Sequence, residues 1–348
     1  MPSCKDKKIP IFAKGKRSLF LLEGMPAVSV IIPVYKVEPY IARCARALFS
    51  QTMEDLEFIF VDDCTPDASI AVMQEVLQEF PKRKEQVVVY RMPRNSGQAA
   101  VRMQGLALAR GEYVIHCDSD DSVDPEAYQL MYGKAVAEDL DIVTCDFRMV
   151  NLKEARVQST VSEPGREISD ILSGKVWASL CCRMIKRELC EDIAMPEGGD
   201  MWEDVVFAVQ ATRRARRIGH MGIPFYTYYR RTTSISFEEG QAAALKRWEA
   251  IRGNVQQVLD YLSRNGVAVD ADDIVSFKYR SRYPLVPYVQ IPEYYRKWRD
   301  TFPEIDRVFL RTKGIPADTK FWFILIHLRL YYPWKRLTGV FRKPESQR

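Results

Sequence analysis

The run Val28-Ser29-Val30-Ile31-Ile32-Pro33-Val34-Tyr35 admits few folds. Almost every position is apolar, so neither face alternates toward water. A strand of this kind needs cover on both sides, as in a parallel sheet sandwiched between helices. The same signature returns at Phe58–Val61, Val87–Tyr90 and Tyr113–Cys117. Between these runs the apolar residues recur at helical spacing. Pro39 suits a first helical turn and is followed by Ile41, Ala45, Leu48 and Phe49; Asp67-Ala68-Ser69 opens a helix through Phe80, and Gln98–Arg110 forms another. Strands alternating with helices predict an α/β fold, Rossmann-like, with a mostly parallel sheet and helices on both faces. In such sheets ligands bind at the carboxyl ends of the strands.

That rule gathers four loops into one site: Pro33-Val34-Tyr35, Asp62-Asp63, Asn95 to Arg102, and Asp118-Ser119-Asp120-Asp121. Tyr35 offers a ring on which a flat base can stack, or packs as a core aromatic. Asp63 can accept a hydrogen bond from a base N–H, or cap a helix as Thr65 could. Arg102 can meet a phosphate, or lie on a solvated helix face. The helix beginning near Gly97 can turn its free N–H groups toward an anion. The fourth loop holds three carboxylates in four residues. Like charges repel and burial disfavours each, so the pattern asks for a cation, unless it is a surface turn capping the helix near Pro125. Mg²⁺ or Mn²⁺ takes oxygen ligands and completes its shell with phosphate oxygens and water, which points to a phosphorylated substrate.

Charge and cysteine usage narrow the function classes. Residues 1 to 26 carry +4 and residues 320 to 348 carry +6, so the body holds −5 of a total of +5. An acidic body between basic ends does not suit a nucleic-acid groove, but does suit an anionic membrane surface. No run reaches the roughly 20 apolar residues needed to span a bilayer, and Leu19–Leu22 is too short for a signal-peptide core. The eight cysteines show no C-x-x-C, and only three histidines are present, so neither a zinc site nor a disulfide framework is expected. The expected location is the cytoplasm, peripheral on the inner face of the cell membrane. Two rival classes lack their signatures: no glycine fingerprint follows the first strand, and no G-x-x-x-x-G-K-[ST] is present.

Five motifs in order carry a resemblance: IIPVY at 31–35, FSQT at 49–52, VDDCTPD at 61–67, NSGQAAVRMQGLALARGEY at 95–113 and DSDDSVDP at 118–125. In order and spacing they resemble the family 2 glycosyltransferases, from about Val28 to Ser236. The resemblance implies the A-type glycosyltransferase fold and an inverting transfer of a sugar from a nucleoside diphosphate, with a UDP-sugar as the expected donor. It implies that Pro33, Tyr35 and Asp63 hold the base, that Asp118 lies near the ribose, and that Asp120 binds the Mn²⁺ or Mg²⁺ bridging the diphosphate. It also implies a general base in Gly198-Gly199-Asp200-Met201-Trp202-Glu203-Asp204. Neighbours on a helix do not share a face, so one of the two last acids must act, and Asp204 matches the family's position, with Glu203 orienting or capping. The family's Y-x-x-R element matches Phe225 to Arg231, with Arg230 ahead of Arg231 as the cation over the diphosphate. Two departures stand out: Lys36 where the family often has a small polar residue, and Thr65 where it has Ser.

Beyond Glu238 the motifs stop. The expected organisation is a basic tail at 1–27, a catalytic domain at 28–237 and a helical region at 238–348. That last region has helices over Gln241–Asn265 and about Ala271–Tyr283. Phe321 to Tyr332, followed by Trp334-Lys335-Arg336, reads either as a helix in a membrane interface or as one docked on the protein. The expected acceptor is a saccharide, a surface polysaccharide or a lipid-linked oligosaccharide. The alternative is a nucleotide-sugar-binding scaffold without turnover.

Overall fold

The computed structural model describes residues 25–151, 154–195, 198, 200–230 and 239–338. Most of the basic N-terminal tail, Arg231, Ser234 to Ser236, Arg342 and Lys343 therefore lie outside the described residues.

The four predicted strands form as β1 (Val28–Val34), β2 (Leu56–Asp62), β3 (Val87–Arg91) and β4 (Tyr113–His116). They pair in parallel in the order β3-β2-β1-β4, with Val30 opposite both Phe58 and Ile115. Val28, Val30, Ile31, Ile32, Phe58, Ile59 and Phe60 are all fully buried, as a run apolar on both faces requires. Each such aliphatic or aromatic side chain contributes about 1.5–3 kcal/mol. Three helices return the chain between strands: α1 (Glu38–Phe49), α2 (Ser69–Gln78) and α3 (Gln98–Leu108). Residues of alternate parity along β1 feed separate cores on the two faces, Val30 and Ile32 with α1, and Ile31 with α3.

After β4 the sheet changes character. β5 (Ser122–Val123), α4 (Ala127–Ala137), β6 (Ile142–Val150), β7 (Ala155–Gln158), α5 (Glu167–Ser173), β8 (Arg183–Lys186), α6 (Glu203–Arg214) and β9 (Ile218–Tyr229) follow in sequence. The sheet continues β4-β8-β6-β9-β5 with antiparallel pairing at every step except β6 with β9. The parallel half is thus completed by a mixed half. The polar stretch after β6 forms the small hairpin with β7.

The C-terminal helices α7 (Gln241–Arg264), α8 (Ala271–Arg280), α9 (Pro292–Asp300), α10 (Ala317–His327) and α11 (Tyr331–Thr338) do not form an isolated appendage. Ile251, Val255, Val258 and Leu262 of α7 and Phe277 of α8 share one core with Ile31, Val205 and Phe207, so packing does not divide at residue 238. A third core lies wholly within this region, around Trp298, Phe309, Phe323 and Ile326. The apolar segment 321–332 is broken: α10 ends, Arg329 turns to φ 61°, and α11 starts.

Candidate active site

The strand ends are tied to one another through backbone donors. The Asp63 amide donates to the Val34 carbonyl at 3.0 Å, and the Lys36 amide donates to the Thr65 hydroxyl at 2.8 Å, joining the ends of β1 and β2. Thr65 therefore serves as a clasp. The charge of Lys36 is accounted for as well, since its ammonium lies 5.2 Å from the centre of the Tyr35 ring. Tyr35 is 37% exposed at the mouth, an open ring rather than a core aromatic, and Pro33 is half-buried one turn of the strand behind it.

Asp63 is buried and accepts from the amides of Ser96 and Gly97 at 2.7 and 3.0 Å. Its carboxylate positions the loop before α3, and each oxygen keeps a lone pair for a further donor. Burial pushes Asp63 above the usual carboxylate range, against the pull of those two amides. Gly97 has φ 84°, and a Cβ there would collide with the Asp200 carboxylate, so the loop needs glycine twice over. Asp200 in turn accepts from the Ala99 amide at 3.3 Å.

The acidic turn after β4 balances most of its charge within the protein. Asp121, fully buried, accepts from the Tyr226 hydroxyl at 2.6 Å and the Tyr229 amide at 2.9 Å. Burial and the neighbouring Asp118 push it up to about 8. Asp118 is paired with Arg102 at 2.8 Å. Asp120 is half-buried, and its carbonyl accepts from Arg43, whose guanidinium lies 3.7 Å above the Tyr229 ring. Three carboxylates therefore coexist without a cation among all of them. Among the described residues no cluster of three or more His, Cys, Asp or Glu encloses a metal. Asp120 offers an oxygen-only position at the end of β4. Such a position fits a hard divalent ion that takes one or two carboxylates and completes its shell from phosphate and water.

Arg102, expected to meet a phosphate, is a buried residue of α3. It is 4% exposed and lies beneath the mouth, between Asp118 and Glu203, whose carboxylate is 3.7 Å from its Nε. Its Nε and Nη1 find no hydrogen-bond partner among the described residues, and helix periodicity alone could not tell which face of α3 turns inward. Burial works against the charged form, but the neighbouring Asp118 and Glu203 carboxyls outweigh it and hold the guanidinium protonated.

Glu203 and Asp204 open α6 and diverge as neighbours on a helix must. Glu203 is 6% exposed and turned toward Arg102; burial and the adjacent Asp204 push it up to about 8. Asp204 is half-buried and accepts from the Val205 amide at 2.8 Å. Burial raises its pKa, and Arg102, Asp118 and Arg183 are the charges that act on it. The residue before them, Trp202, caps α6 with φ 67°, a left-handed conformation that costs a bulky side chain on the order of 1–3 kcal/mol. Arg230 is exposed and directly follows Tyr229, whose amide is fixed on Asp121.

Sequence reasoning missed the groups that brace the site. Tyr226, Tyr229, Arg43 and Arg183 carry no motif that announces their partners, which lie between 77 and 108 residues away for the first three.

Residues 29–194 match the model of glycosyl transferase family 2. The chain is 30% identical over 231 residues to the uncharacterized glycosyltransferase EpsJ of Bacillus subtilis, covering 61% of this chain and 63% of that protein. It is 26% identical over 280 residues to the cholesterol galactosyltransferase of Borreliella burgdorferi, covering 76% and 75%. The match thus spans about three fifths of the length of EpsJ. Among solved structures, residues 1–349 of S. aureus TarS in complex with UDP-GlcNAc superpose with a TM-score of 0.54 at 19% identity, covering 82% of this chain and 91% of that one.

Proposed function

We propose that the protein, whose residues 29–194 match the model of glycosyl transferase family 2, transfers a sugar, with inversion, from a nucleoside diphosphate donor to a hydroxyl of a saccharide or lipid-linked saccharide acceptor. A UDP-sugar is the donor this reading favours, and the UDP-GlcNAc bound in the TarS complex supports it. The observation that carries the proposal is the meeting of two independent parts at one mouth. The nucleotide-side acids lie at the ends of parallel strands, and Asp204 at the start of α6 lies within electrostatic reach of Asp118 and Arg102.

In this mechanism Tyr35 and Asp63 hold the base and Asp118 faces the ribose. Asp204 takes the proton from the acceptor hydroxyl as that oxygen bonds to the anomeric carbon. The bond to the diphosphate breaks, and its electron pair leaves with the nucleoside diphosphate. A raised pKa makes Asp204 a stronger base than an exposed aspartate, and such assistance contributes roughly 10²- to 10⁴-fold. Arg230 stabilises the charge that develops on the leaving group. A divalent ion held at Asp120 supplies further positive charge to the diphosphate when bound.

Asp204→Asn should cut turnover at least roughly a hundredfold while donor affinity changes little. A thermal-shift panel of nucleoside diphosphate sugars, with and without Mn²⁺, identifies the donor, because a ligand that binds only the folded state raises its stability. Full transfer by the Asn variant removes Asp204 from the role; donor binding without turnover in the parent leaves the inactive scaffold.

Contact with an anionic membrane belongs to the same proposal. Each C-terminal helix docks one face and exposes another. On α10, Phe323 and Ile326 are buried while Phe321 and Ile324 are exposed, and Leu328 just beyond it is 60% exposed; on α11, Tyr331 is buried while Trp334 is exposed and Leu337 is 84% exposed. The Phe321 and Trp334 rings meet at 5.5 Å, which joins the two exposed stripes, and Arg329 and Arg336 are exposed nearby. Among the described residues no helix is long and apolar enough to cross a membrane. Each cation near an anionic surface contributes on the order of 1 kcal/mol. Because α10 also completes a core, the fitting test is substitution rather than deletion. Trp334→Glu with Leu337→Glu should abolish pelleting with anionic vesicles while donor turnover in solution survives; pelleting unchanged by the substitutions or by lipid charge excludes the contact.

A further inference from the structure

We infer that the C-terminal helices are part of the transfer machinery. Asn254 of α7 and Phe277 and Arg280 of α8 act as positioning residues that hold the turn Met201–Asp204 and so aim the Asp204 carboxylate. The inference rests on the reading of Asp204 as the base.

Three contacts converge on this turn from outside residues 29–194. The Asn254 side-chain amide, 2% exposed, donates to the Met201 carbonyl at 2.7 Å. The Phe277 ring stacks on the Trp202 indole, with centroids 5.7 Å apart and planes 15° from parallel. The Arg280 guanidinium lies 4.9 Å from the centre of the same indole.

Arg280 is itself fixed. Its guanidinium donates to the Leu172 carbonyl at 3.0 Å and lies against Gly174, where φ is 77° and a Cβ would overlap the guanidinium carbon. From that seat its charge acts on Asp204.

Trp202 is where these contacts matter. Its left-handed backbone is unfavourable for an aromatic residue and persists only when its surroundings over-determine it. Its carbonyl accepts from the Val206 amide at 3.3 Å, so Trp202 sets the first turn of α6 and with it the direction of the two acids that follow. The side chain is gripped by α8 and the preceding carbonyl by α7. Relaxation of either grip lets the turn rotate, and a shift of about 1 Å in a reacting group can cost on the order of a hundredfold in rate.

The test compares Arg280→Ala, Arg280→Lys and Phe277→Leu with the parent and with Asp204→Asn, using full-length protein and the donor found by the thermal-shift panel. Arg280→Ala and Phe277→Leu should lower kcat about tenfold or more with donor KM within about twofold, and Arg280→Lys should recover part of the loss. Melting temperature is measured in parallel. The inference is overturned if kcat is unchanged, or if kcat and donor KM worsen together in proportion to a fall in melting temperature, as for a purely structural role. If Phe277→Leu does not fold, the two Arg280 variants decide, since Arg280 lies at the edge of the core. Turnover retained by Asp204→Asn removes the base reading and this inference with it, whereas turnover lost there but intact in the α8 variants removes the inference alone.

Discussion

The half of the mouth formed by the strand ends and the half formed by the start of α6 are built by different means. In the first, Tyr35, Asp63 and Asp118 follow directly from strands locked in a parallel ladder, and backbone amides at 2.7–3.0 Å hold Asp63 and its loop. In the second, Asp204 hangs from a strained turn whose neighbours are an indole, a phenyl ring and three arginines. Ladder geometry is rigid because each residue is fixed by two hydrogen-bonded neighbours. A helix start fixed by packing is only as rigid as the side chains that crowd it. The strand-end acids thus sit on the stiffer scaffold, and Asp204, the base of the proposed mechanism, sits on the more adjustable one.

The comparison is tested hardest at Asp120. Asp120→Asn should abolish transfer and remove the metal dependence of donor binding, while circular dichroism shows the fold intact. Full activity, or undiminished turnover in excess chelator, would show that the strand-end half works without a metal.

Arg102 joins the halves, because it binds Asp118 on one side and faces Glu203 on the other. Arg102→Met leaves two buried or half-buried acids without their shared cation and should cost about 3–5 kcal/mol in urea unfolding. Unchanged stability would mean that the halves stand independently.

The smallest effect is expected at Glu203, and it sharpens the contrast through pH. The folded state raises this carboxyl to about 8 from an ordinary 4.5. The folded protein therefore binds the proton more tightly than the unfolded chain. The resulting stability is complete below the unfolded value and is lost as pH rises through the folded one. Glu203→Gln should flatten the decline in stability between about pH 5 and pH 8 and reduce turnover less than Asp204→Asn does. A decline as steep as the parent's would assign that pH dependence to other groups.

The four parallel strands, their helices and the clustering of loops at the strand ends were legible in the chain. Continuous apolar runs and helical spacing are local properties, and local properties fix element type. The places of Tyr35, Asp63, Asp118 and Asp120 just past the strands were legible for the same reason, since each stands one to four residues beyond a strand. The place of Arg102 on a helix is local, whereas its burial between Asp118 and Glu203 depends on what lies across the core. The sequence also offered interface and docking as alternatives for the segment after Phe321, and the structure assigns one face of each helix to docking and leaves the other exposed.

By itself, then, the order of apolar and acidic residues determined a doubly covered parallel sheet with a carboxylate-lined mouth, because burial on both faces and like-charge repulsion act within a few residues of chain. Tertiary structure alone decided which carboxylates meet Arg102 and which accept from Tyr226 and Tyr229. It alone brought Asn254, Phe277 and Arg280 to contacts in a turn 53 to 78 residues earlier in the chain. Such contacts depend on how whole helices pack, and the free energy that selects them is spread over a core rather than written in any one segment.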